Sequence, residues 1–156
     1  MGMSDYMAKL REKVGNELLL FPGVCALVFN DQGQILLNRR SDTSRWAVLG
    51  GALDPGEEPA AAVVREVLEE TGVQVIPERI TGVYITPVIT YPNGHKVQYA
   101  ITAFACRPVA GRPRVNDDES LEVRYFALDD LPDLHPAHRQ RIDHARTGGP
   151  TWFAKP

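Results

Sequence analysis

Tyr6, Met7, Leu10 and Val14 recur at helical spacing and predict a short amphipathic helix near the start of the chain. The pattern then changes. Residues 24–29 (VCALVF) form an unbroken apolar run with β-branched members, and residues 34–40 (QILLNRR) follow as a returning segment. Both read as strands, and the turn residues Asn30, Asp31, Gln32 and Gly33 between them predict a hairpin. A polar loop at 41–44 precedes a short strand at 46–49, and 50–56 holds three glycines and a proline, the composition of a loop with special backbone geometry. Residues 59–71 carry the strongest helical pattern, with Pro59 suited to the first turn, Glu57 and Glu58 to the positive end, and Gly72 to the stop. Strands are expected at 73–76, 81–90, 97–106 and 122–127, with a Tyr91-Pro92-Asn93-Gly94 turn joining two of them, and a closing helix at 136–147. Hairpin-paired strands around one long helix predict a single mixed α/β or α+β domain over residues 1–156. Its first 16 residues would be a helical segment and residues 148–156 a loose tail.

Composition narrows the function classes. Hydrophobic residues at 44% and charged residues at 24% are ordinary for a folded domain. A net charge of −3 excludes binding of a nucleic-acid polymer through bulk positive charge. The two cysteines, Cys25 and Cys106, sit in apolar contexts without metal-ligand spacing, so two buried thiols are expected. The longest apolar run, 18–29, is 12 residues broken by Pro22 and Gly23, whereas a membrane span needs about 20. The charged first residues do not resemble a secretory signal, and a soluble cytoplasmic protein is expected.

The helix at 59–71 carries the chemistry. On a wheel of about 3.6 residues per turn, Ala60, Val63, Val64, Val67 and Leu68 are expected on one side and Glu66, Glu69 and Glu70 on roughly the other. Like charges at this spacing repel, and two of them lie in the last turn, where the helix dipole disfavours negative charge. A hard divalent cation with oxygen ligands would offset that repulsion, although a solvated acidic face has the same spacing. Gly50 and Gly51, just before this helix, allow a close backbone approach to a ligand and can aim a carbonyl at it. Together these features read as a metal–phosphate site.

At these residues the chain resembles the Nudix hydrolases. Gly51, Glu57, Arg65, Glu66, Val67, Glu69, Glu70, Gly72 and Val73 fill every defined position of the Nudix box. A looser likeness runs from Phe21 to Phe126, and Leu49 departs from the proline that many members carry before the two glycines. The resemblance implies an α/β/α sandwich around a central mixed sheet. It implies hydrolysis of a nucleoside diphosphate linked to another group, with Mg²⁺ or alternatively Mn²⁺. Glu66, Glu69 and Glu70 would be the metal carboxylates, with a carbonyl of Gly50 or Gly51 as a further ligand; Glu66 could instead orient the attacking water. Arg65 and Glu57 would form an ion pair that holds the carboxylates in place.

Outside the box, Glu119, in the acidic segment 116–120, is the candidate base, with an ordinary acidic turn as the other reading. Arg39 or Arg40 could grip a phosphate, and Trp46, Tyr99 or Phe104 could stack on a base, although surface charge and core packing account for them equally. His135, His138 and His144 read as surface residues. The favoured partner is a nucleotide-type small molecule, ADP-ribose-like or a sugar nucleotide. A house-cleaning nucleoside triphosphate pyrophosphohydrolase is the alternative, and a non-catalytic ligand-binding module of the same fold is the alternative of another class. The amphipathic segment 6–14 would need an apolar partner, which makes a homodimer an expectation.

Overall fold

The computed structural model describes residues 4–156. In chain order its elements are α1 (Asp5–Val14), β1 (Leu19–Val28), β2 (Ile35–Arg40), β3 (Trp46–Ala47), α2 (Pro59–Thr71), β4 (Gln74–Ile85), β5 (Ile89–Thr90), β6 (Lys96–Ala110), β7 (Ser120–Phe126) and α3 (Pro136–Arg146).

The apolar run that begins at Val24 is continuous because β1 is buried on both faces. Val24, Ala26 and Val28 pack with Val63 and Val67 of α2, while Cys25 and Leu27 pack with Ile142 and Ala145 of α3. Helices therefore cover the two opposite faces of the sheet that contains β1, which is the expected α/β/α sandwich. That sheet is mixed: β1 pairs parallel with β6, and β4 and β5 pair antiparallel with β6. A separate three-stranded sheet has the order β3-β2-β7. Both cysteines are free and buried, as expected.

The hairpin expected between the first two strands closes only at its tip. Phe29 bridges Ile35, and beyond that β1 and β2 diverge into different sheets. The edge of β1 is taken instead by the glycine loop: Val24 N–H donates to Gly51 O at 2.8 Å and Ala26 N–H to Leu49 O at 2.9 Å. The loop is wedged between the two strands, and this wedge is what positions the site.

Three further differences have local causes. The strands expected at 73–76 and 81–90 are largely one strand, β4, because register shifts at Gln74/Val75, Pro77/Arg79 and Ile80/Gly82 absorb Pro77 without ending the pairing. The segment expected to be loose from Gly148 is tied down: Trp152 N–H donates to Thr81 O and Val83 N–H to Trp152 O, each at 2.9 Å. Its indole stacks on Tyr84 and His144, both at 4.8 Å between centroids. Finally, α1 is held by its own domain. Arg11 is buried and donates to the carbonyls of Gly15, Glu17 and Lys96, and Met7, Leu10 and Val14 are half-buried. This removes the motive that α1 offered for a dimer.

Candidate active site

α2 begins at Pro59 and stops at Gly72, whose φ of 70° is left-handed and whose N–H closes the helix on Leu68 O. Its buried residues are Ala62, Val63, Glu66, Val67, Glu70 and Thr71. Glu66 and Glu70 thus share the face of Val63 and Val67, which corrects the expectation that all three glutamates oppose it. The reason is the period itself: residues three and seven after Val63 return to its side. Glu69 alone of the three is exposed, at 56% of its side chain.

Glu70 enters the wedge between β1 and β2. One carboxylate oxygen accepts from Gly50 N–H at 3.2 Å, and the other faces Asn38 Nδ2 at a long 3.5 Å. Burial pushes its pKa up to about 8, the nearby Glu66 charge adds to that rise, and the Gly50 N–H opposes it. Burial also raises Glu66, against the pull of Arg65.

Arg65 is the organising cation. Its Nε and Nη2 meet Glu57 at 2.7 and 2.9 Å in a two-pronged pair, and Nη2 also reaches Ala52 O at 3.2 Å. Nη1 donates to Glu66 at 2.9 Å and Glu69 at 3.2 Å. The Arg65 hydrogen bonds hold the Glu57 carboxyl below its usual range. The helix-to-loop ion pair expected from the sequence is therefore present.

Gly50 has a φ of 143°, and a Cβ there would sit 2.2 Å from Val24 O, so no L side chain fits. Of the two candidate carbonyls, that of Gly51 is committed to β1 by Val24 N–H.

One cavity of ≈ 120 Å³ gathers Glu66, Glu69 and Glu70 with Asp117 and Glu119 of the β6–β7 connection. Asp117 Oδ1 accepts from the backbone N–H groups of Glu119 and Ser120 at 3.2 and 3.1 Å, which fixes the turn that presents Glu119. Ser4 and Met7 of the α1 end also line it, a contribution that the local sequence did not reveal. Asn38 was missed as well, although a lone amide inside the run ILLNRR was a readable signal; it is buried and also donates to Ser120 Oγ at 3.2 Å.

Other candidates lie elsewhere. Neither Arg39 nor Arg40 lines the carboxylate cavity. Arg40 is paired with Asp42 through two bonds of 2.9 and 2.7 Å, and Arg39 lies 3.6 Å from Glu122. Phe104 is core, and Trp46 packs edge-on against Phe126. Of the three histidines expected at the surface, His138 and His144 are half-buried. His138 lacks a partner at Nδ1, and its pKa is lowered to about 4 by burial and by Arg141.

Among the described residues, no three acidic, histidine or cysteine side chains already form a metal cage, and Arg65 Nη1 reaches both Glu66 and Glu69. The donor set nevertheless fits a hard divalent cation in kind. It is all carboxylate and carbonyl oxygen, and two of its carboxylates are buried and mutually repelling.

The NUDIX domain profile matches residues 19–145, most of the chain. The chain belongs to the NUDIX family. It is 34% identical over 108 residues to a MutT-like protein of Streptomyces ambofaciens, covering 69% of this chain and 64% of that one, just under two thirds of the relative's length. It is 30% identical over 143 residues to an ADP-ribose pyrophosphatase of Methanocaldococcus jannaschii, covering 89% and 82%. A MutT NUDIX hydrolase from Burkholderia pseudomallei superposes with a TM-score of 0.61 at 30% identity, over 81% of this chain and 98% of that one.

Proposed function

We propose that the protein hydrolyses the diphosphate bond of a nucleoside diphosphate linked to another group, with an ADP-ribose-like or sugar-nucleotide substrate favoured. The observation that carries this reading is the buried Glu66–Glu70 pair, sharing one cavity with Glu69 and Glu119 beside a strained glycine loop. The likeness to an ADP-ribose pyrophosphatase over most of both chains supports the substrate class.

In this reading Glu66, Glu69 and Glu70 hold Mg²⁺ or Mn²⁺ together with a glycine carbonyl, that of Gly50 being favoured over Gly51. When bound, the ion would neutralise diphosphate charge and acidify water. Arg65 and Glu57 keep the carboxylate face in register, because a displacement of about 1 Å costs about 10²-fold in rate. Glu119 takes a proton from the attacking water. The water oxygen bonds to one phosphorus as the bridging P–O bond breaks, leaving a nucleoside monophosphate and a phosphorylated partner group. Arg39 and Arg40 lie outside the carboxylate cavity, although the Arg40 charge acts on Glu70, and would meet the outer substrate.

The test is a substrate panel with and without chelator. Diphosphate-linked substrates are read as phosphate released after alkaline phosphatase, and nucleoside triphosphates as phosphate released after inorganic pyrophosphatase. Metal-dependent turnover of the first group is expected. Turnover confined to triphosphates would replace this reading by the house-cleaning one, and no turnover at all would leave a ligand-binding module.

Among the described residues no helix is long and apolar enough to cross a membrane. A cytoplasmic location and a homodimer complete the proposal. With α1 occupied, the dimer surface falls to the exposed face of Leu20, Val83 and Ile85, which lies on the α2 side of the sheet beyond the helix.

A further inference from the structure

The carboxylate cavity is too small for the whole substrate proposed above. At ≈ 120 Å³ it is smaller than the roughly 300–1,000 Å³ of pockets that enclose drug-sized ligands. The groups on either side of the diphosphate must therefore leave the cavity past its walls. Most of those walls are acidic or belong to the charge network: Glu66, Glu69, Glu70, Asp117 and Glu119, with Arg65. The uncharged walls are Ala52, just after the two glycines, and Ser4 and Met7 at the start of α1.

The placement of the last two follows from the helix. Ser4 precedes α1 in an extended conformation and Met7 lies in its first turn. Ser4 is the N-cap and accepts from Met7 N–H at 3.3 Å, so its hydroxyl is turned back on the first turn. Met7 is half-buried, uncharged and adaptable in shape, which suits contact with the ring of a sugar or base and not with a phosphate. Among the described residues, the side-chain hydrogen bonds that tie α1 to the rest of the domain start from Arg11, one turn beyond Met7. Arg11 thus sets where Met7 stands.

We propose that α1 is a substrate-selecting wall of this site, with Met7 contacting the uncharged ring next to the diphosphate. The proposal rests on the diphosphate-hydrolase reading and adds a residue outside the box that carries the carboxylates. It assigns Met7 to selection among substrates, leaving metal binding and bond cleavage to α2 and the β6–β7 connection.

The experiment compares kcat and KM of the full-length wild type, Met7→Ala and Met7→Leu on ADP-ribose, a nucleoside diphosphate sugar and a dinucleoside polyphosphate, with Mn²⁺. Lys9→Ala, on the exposed side of α1, is the control. Met7→Ala is expected to raise KM for the best substrate about fivefold, with kcat within twofold, and to change the ranking of the three substrates. Met7→Leu is expected to restore most of the loss, and Lys9→Ala to match wild type. Melting temperatures in chelator should be unchanged in all three variants. If wild type is active and both Met7 variants keep KM and ranking within twofold, the α1 proposal is overturned while the hydrolase reading stands. An equal loss on every substrate, carried by kcat or by a lowered melting temperature and repeated in Met7→Leu, also overturns it, since it marks a packing role. A wild type inactive on all three substrates removes the reading as a hydrolase of diphosphate-linked substrates, and the proposal with it.

Discussion

At the scale of the residue, Glu70 carries two predictions. Gln keeps its shape and its place between Gly50 and Asn38, but removes a buried charge that Glu66 repels. Glu70→Gln is expected to cut turnover by roughly 10²–10³, equivalent to about 3–4 kcal/mol of transition-state stabilisation. Its chelated melting temperature near pH 8.5 should be no lower than wild type's. Turnover within threefold of wild type would remove Glu70 from the site. The second prediction concerns pH. A carboxyl raised from 4.5 to about 8 in the folded state holds a proton that the unfolded chain has released, so metal-free stability falls as pH rises between those values. Melts of chelated protein from pH 5 to 8.5 should show this fall in wild type and less of it in Glu70→Gln. The lowered Glu57 carboxyl acts in the opposite sense but at lower pH, below its ordinary value of 4.5, so the two are separable.

Among the elements, the glycine loop and α3 give the clearest tests. Gly50 lets the loop enter the edge of β1, and a Cβ at this φ would overlap Val24 O. Gly50→Ala should therefore destabilise the fold by about 3 kcal/mol, read as a lowered denaturation midpoint, and should displace the N–H that Glu70 accepts. A midpoint unchanged from wild type would mean that the loop has room to move. On α3, His138 sits near Arg141, His135 and Arg40, and its pKa is depressed from 6.5 to about 4. The unfolded chain takes up this proton first as pH falls, so His138 costs stability progressively between those pH values. His138→Asn should reduce acid destabilisation over that window, and an unchanged acid profile would contradict the burial.

For the whole molecule, the expectation is a metal-stabilised dimer. Titrating Mn²⁺ into chelator-treated protein should raise the melting temperature saturably at millimolar metal or below, because an ion that binds only the folded state stabilises it by mass action. A flat titration would count against the carboxylate site. Light scattering at tens of micromolar should give twice the 17.3 kDa of one chain, and Leu20→Glu should restore the monomer. A wild-type mass of one chain would end the dimer proposal.

What could be read from sequence was whatever depends on neighbours along the chain. The box spacing at Gly51, Glu57, Arg65 and Glu66 to Val73 identified the family, and Pro59 and Gly72 bounded α2, because turn geometry and helix period act over a few residues. The Arg65–Glu57 pair was legible too, being carried by the box itself. Tertiary structure decided the rest. Whether β2 pairs with β1 depended on which segment occupies the edge of β1, and the loop at Leu49 and Gly51 holds it. The depth of Glu70 depended on that wedge, which shields its carboxylate from water and raises its pKa. The anchoring of α1 by Arg11 to Lys96 O, and of Trp152 to β4, joins residues far apart in the chain, and no local pattern encodes such contacts. Burial is a property of what packs above a residue, so the same Glu-x-x-Glu-Glu spacing is a solvated stripe on an isolated helix and a charged cavity in this fold.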